Sequence, residues 1–104
     1  GGTRQPVRTV AGAMTADDHY ILLATGGVNT SISLLAAPFV GSEIVITKTD
    51  LGAGTLTIDS GGGNTISPLG VGASAQTLGL PAATRTSARL VCESTTPNIW
   101  IQVS

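Results

Sequence analysis

Ionic side chains are scarce in this sequence. Charged residues fill 11% of its 104 positions, against about 25% in an ordinary soluble domain. Five Lys and Arg oppose six Asp and Glu, giving a net charge of −1, and none of them form a run. So few cations cannot neutralise a series of phosphates, which argues against nucleic acid as a partner. Near-neutrality also gives poor protection against self-association. The ionic deficit therefore predicts surface that is hidden in an assembly.

Cysteine is limited to Cys92, so no intrachain disulfide forms. It lies in the apolar run Ala88-Arg89-Leu90-Val91-Cys92, where a small buried thiol is expected. A nucleophilic thiol needs a base, and no motif joins Cys92 to the single histidine, His19. The three aromatics, Tyr20, Phe39 and Trp100, are too few and scattered for the stacking platforms of a sugar-binding module. The longest mostly apolar stretch, Tyr20 to Ala24, is far too short to cross a bilayer, so no membrane partner is expected. The opening Gly1-Gly2-Thr3-Arg4-Gln5-Pro6 lacks the apolar core of a secretory signal. Without that route the Asn29-Thr30-Ser31 sequon carries no meaning. Helical signals are nearly missing too: apolar residues do not recur at helical spacing beside a cap.

What is present is small and apolar. Gly, Thr, Ser and Ala fill nearly half the chain, and mean hydropathy is +0.34. Leu, Ile, Val and Phe make up about a quarter, above the roughly 20% below which chains tend to stay disordered. Apolar residues recur with a period of two. Ile32 and Leu34 share a face, as do Ile44 and Ile46, and Leu56 and Ile58. Ile99, Ile101 and Val103 share one face opposite Trp100 and Gln102. Punctuation by Gly, Pro, Asn and Asp falls at intervals of about 8–12 residues, a spacing typical of sandwiches and barrels.

The expected fold is all-β: a small antiparallel β-sandwich or barrel. Strands are predicted at 6–11, 19–25, 30–35, 42–48, 55–59, 76–79, 86–93 and 98–103. The strongest predicted hairpin joins 42–48 to 55–59 through the Asp50-to-Gly54 turn. A second joins 86–93 to 98–103 through Ser94-Thr95-Thr96-Pro97-Asn98. Residues 60–75 are expected to form an extended Gly-rich loop. Residues 1–16 make an N-terminal arm and first strand, and 17–104 a single β-domain.

Candidate chemistry is thin. Asp17, Asp18 and His19 are the one compact group of ligating side chains. Successive strand residues point to opposite faces, so a solvated strand entrance is expected there in place of a metal site. Asp50 and Asp59 suit turns better than a catalytic carboxylate pair, which needs one desolvated acid. Ser60-Gly61-Gly62-Gly63 lacks the Lys-Ser/Thr of a phosphate-binding loop, and no helix follows it. Gly72-Ala73-Ser74-Ala75-Gln76 fails the nucleophile-elbow pattern at its last position. No catalytic, cofactor-binding or metal-binding residue is assigned, and no enzyme is expected. Three residues are candidate subunit contacts. Trp100 packs in a second layer, the favoured role, or at a contact. Arg4 and Arg8 belong either to a loose terminus or to an arm reaching a neighbour.

The ordered set of segments resembles a β-domain of tailed-bacteriophage virion proteins. It runs through Asp17-Asp18-His19-Tyr20-Ile21-Leu22-Leu23, Ser31-Ile32-Ser33-Leu34-Leu35-Ala36-Ala37 and Gly41-Ser42-Glu43-Ile44-Val45-Ile46-Thr47-Lys48-Thr49-Asp50. Leu56-Thr57-Ile58-Asp59, Asn64-Thr65-Ile66, Leu90-Val91 and Asn98-Ile99-Trp100 follow. The pattern spans residues 17–101 and departs from the family at 67–84. The resemblance implies a non-enzymatic, commonly homotrimeric protein: a capsid decoration (cement) protein or a tail-fibre module. It assigns no functional residues. A fibre module normally sits in a longer chain, so 104 residues alone favour decoration. The expected partners are further copies of the chain and the major capsid protein. The expected location is the capsid surface, after synthesis in the host cytoplasm.

Overall fold

The chain switches sheets at almost every strand. In the computed structural model, which describes residues 7–9, 11–15, 18–61 and 63–104, no helix occurs among those residues. The ten strands are β1 (Val7–Arg8), β2 (Gly12–Ala13), β3 (Tyr20–Leu23), β4 (Thr30–Ser33) and β5 (Glu43–Lys48), then β6 (Leu56–Asp59), β7 (Asn64–Ser67), β8 (Thr77–Leu80), β9 (Thr86–Thr95) and β10 (Asn98–Gln102). A six-stranded sheet has the order β1-β3-β5-β9-β10-β7, and a four-stranded sheet the order β2-β4-β6-β8.

Both sheets are mixed, which corrects the antiparallel expectation. β1, β3 and β5 are parallel neighbours, as are β2, β4 and β6, and β7 runs parallel to β10. The cause is the winding. Through β6 each strand is followed by a crossover to the other sheet, so β1, β3 and β5, like β2, β4 and β6, come to lie side by side and run the same way. The β6–β8, β5–β9 and β9–β10 pairs are antiparallel. One-faced alternation looks identical in parallel and antiparallel sheets, so periodicity could not tell them apart. The expected 42–48 to 55–59 hairpin fails for the same reason. β5 and β6 lie in different sheets, and Asp50 to Gly54 is the crossover between them. The β9–β10 hairpin is present, with Thr96–Pro97 cis in its turn. Within 60–75, expected to be loop, Asn64–Ser67 forms β7.

The two inner faces meet in one core. The larger sheet contributes Ile21, Ile46, Leu90, Cys92 and Trp100, and the smaller contributes Ile32, Leu56 and Ile58, all at most 2% exposed. The shortest extent is 22 Å, about the thickness of two sheets roughly 10 Å apart with side chains on both outer faces. Trp100 faces inward opposite Ile66 and Cys92, while Ile99 and Ile101 are half-buried on the outer face. The burial favoured for Trp100 is thus what is seen, in the core between the two sheets and not in a second layer. The largest apolar side chain of β10 fills the core, and its isoleucine neighbours turn outward.

Candidate docking surface

The described residues enclose no ligand-sized cavity and hold no metal-ligating cluster. The distinctive feature is a contrast between the two outer faces. On the smaller sheet, Ser31 and Ser33 of β4, Thr57 and Asp59 of β6, and Thr77 and Gly79 of β8 point outward. That face is small and polar throughout, as a solvated sheet face should be.

The larger sheet carries apolar side chains on its outer face as well, set among Glu43, Thr47, Ser87, Arg89 and Glu93. Tyr20 and Leu22 of β3 are 39% and 42% exposed, while Ile21 and Leu23 between and beyond them are buried. Tyr20 lies opposite Val45, which lies opposite Arg89. Val91 lies opposite Ile101, and both are half-buried on the same face. Val103 follows β10, 41% exposed, and donates its N–H to the Arg89 carbonyl at 2.8 Å. Charge crosses this surface diagonally: Arg89 Nη2 lies 2.7 Å from Glu43 Oε2, the two side chains being 50% and 41% exposed. That partnership, with Tyr20 nearby as a lesser influence, raises the Arg89 pKa further above its ordinary value.

An apolar tip projects from one end. Phe39 and Val40 are 78% and 65% exposed in the turn entering β5. Phe39 N–H donates to Ser42 Oγ at 3.0 Å, and Ser42 N–H returns to the Phe39 carbonyl at 2.9 Å. Gly41, at φ +90°, makes this tight reversal accessible. The exposed ring is thus presented on a hydrogen-bonded turn.

At the other end, the loops following β3 and β5 and preceding β9 are clasped together. Lys48 Nζ, fully buried, donates to the carbonyls of Asp50 (2.7 Å) and Thr84 (3.1 Å) and lies 3.3 Å from Asp50 Oδ1. Its three protons thus meet three acceptors. Asp50 accepts from Thr25 N–H at 3.2 Å and Thr25 Oγ1 at 2.9 Å. The Thr25 backbone bond is the strongest influence on Asp50. Partial burial opposes it, the Thr25 hydroxyl and Lys48 reinforce it, and the pKa is about 2. Val28 and Leu51, 67% and 59% exposed, project from this clasped region.

The other sequence candidates are placed as follows. Arg4 and Asp17 lie outside the described residues. Arg8 stands in β1 opposite Ile21. Asp18 accepts from Thr15 N–H at 2.8 Å in a short turn, and Asp59 caps its own turn by accepting from Gly61 N–H at 2.8 Å. His19 Nδ1 is 3.4 Å from the Glu43 carbonyl. Cys92 is buried, its thiol pKa raised chiefly by burial. Sequence reasoning missed the outward apolar row, whose signal was legible: β3, β5, β9 and β10 carry apolar residues at both parities, unlike β4 and β6.

No protein-family model matches the sequence, and no curated protein matches it.

Proposed function

We propose that this chain is a capsid decoration protein of a tailed bacteriophage: a non-enzymatic β-sandwich that docks on the outside of the assembled capsid. The observation supporting this reading is the projecting apolar tip, with Phe39 and Val40 78% and 65% exposed. Such surface gains free energy at roughly 25 cal/mol per Å² when covered, and leaving it wet invites association. The sequence resemblance supplies the container. Copies of the chain, three in that resemblance, bridge neighbouring major-capsid subunits. Because the protein binds the assembled shell and not its dissociated subunits, mass action makes the shell harder to open.

The experiment compares particles with and without the chain. Particles lacking it are expected to assemble yet rupture at lower temperature or milder osmotic stress, and imaging should place the chain over the capsid. Equal resistance of both particles overturns the reading. Signal confined to the tail replaces it with a tail-fibre module.

A further inference from the structure

The outer face of the six-stranded sheet is suited to one occupant in particular. At its middle an acid and a base sit side by side, Glu43 and Arg89, 2.7 Å apart and flanked by Tyr20, Val45 and Val91. Glu93, also exposed, lies further along β9 towards the 95–98 turn. A partner surface of a single sign would leave one member of the Glu43–Arg89 pair opposed by like charge. A copy of the same face does not. A two-fold axis through the midpoint of the pair sets each copy's Glu43 over the other's Arg89, closing a four-charge ring among apolar neighbours. Both charges keep an opposite partner, which is the condition for burying them.

The area is modest. Six strands about 4.8 Å apart and some five residues at about 3.4 Å give a patch of roughly 24 by 17 Å. Flat, that is on the order of 400 Å² per copy, or about 800 Å² for two, the size of a weak pairing that separates on dilution.

We infer that this chain pairs with a second copy of itself through the outer face of its larger sheet, Glu43 of each copy meeting Arg89 of the other. The inference rests on the reading above for its premise that the chain works in an assembly, and departs from it in copy number, two in place of three.

Native mass of the purified chain, measured without any particle, tests the pairing separately from capsid docking. Wild type should show twice the chain mass, dissociating on dilution. Glu43→Lys and Arg89→Glu should each be monomeric while keeping a cooperative melt. An equimolar mixture of the two should recover the paired mass, as one positive face meets one negative face. Leu22→Asp, which leaves the ion pair intact, should also be monomeric, and Thr57→Lys on the opposite sheet should pair normally. A wild-type mass of one copy at every concentration, a mass of three, or a mixture of folded variants that stays monomeric overturns the inference.

Discussion

Lys48 and Asp50 touch twice: Nζ donates to the Asp50 carbonyl at 2.7 Å and lies 3.3 Å from its carboxylate. The contact closes the clasp that ties the loop after β3 to those on either side of the β5–β6 crossover and β9. Lys48→Met keeps the stem and removes the ammonium, leaving the Asp50 and Thr84 carbonyls without their donor. Losing these part-buried, charge-assisted bonds costs about 1–3 kcal/mol in all. The variant should melt cooperatively but well below wild type, by at least about 5 °C in a domain of this size. An unchanged melting temperature would show that the clasp contributes nothing.

Acid should loosen the same clasp. Asp50 has a folded pKa of about 2 against an ordinary 3.8, held down first by the Thr25 backbone bond. A depressed carboxyl pKa contributes stability that is present above the unfolded value and is lost as pH falls through the folded one. The loss therefore runs from about pH 4 to about pH 2. Asp50→Asn should be less stable than wild type at neutral pH, and the gap should narrow across that window. Urea midpoints at a series of pH values measure it.

Gly54 has no room for a side chain. A Cβ there would collide with the Val28 carbonyl oxygen and sit 2.6 Å from Thr25 Oγ1. Gly54→Ala must push the turn after β3 off the β5–β6 crossover, at about 1–3 kcal/mol. Gly72→Ala, where a Cβ meets open space, should cost far less. Thermal melts of the two variants make the comparison.

Cys92 should be silent towards thiol reagents in the folded protein. Its side chain is buried in the core and its pKa is raised by that burial, so thiolate is scarce and access is blocked. Labelling should follow global unfolding, with the same denaturant midpoint as the fluorescence of Trp100, which lies opposite it. Rapid labelling under native conditions would contradict the packing of β9 against the core.

Much of this architecture is written in local pattern. Period two located β3 to β6 and β8 to β10 within a few residues, because a half-buried strand imposes it whatever its partner. Partner choice is not local. Ile44 and Leu56 look like two arms of a hairpin, yet their strands lie in different sheets, since the Asp50–Gly54 segment crosses over instead of turning back. Lys48 shares the parity of Ile44 and Ile46, and the structure buries it on their side. That side chain could be read as solvated only by weighing charge above alternation. For Trp100 the two isoleucines suggested an inward face, but ring size decided which parity filled the core. The outward row from Tyr20 to Ile101 was visible as apolar residues at both parities, and its geometry emerged only once β3, β5, β9 and β10 were set side by side.

The alternation of strands between sheets has a kinetic side. Among the described strands only β9 and β10 are both consecutive in the chain and hydrogen-bonded to each other. Every other ladder waits for a loop to close, and β3 finds β5, or β4 finds β6, only across about 25 residues of intervening chain. Such a topology has high contact order and folds slowly for its size. Until those loops close, apolar strand faces stay uncovered, and β9–β10 is the one ladder that a short loop alone can bring together.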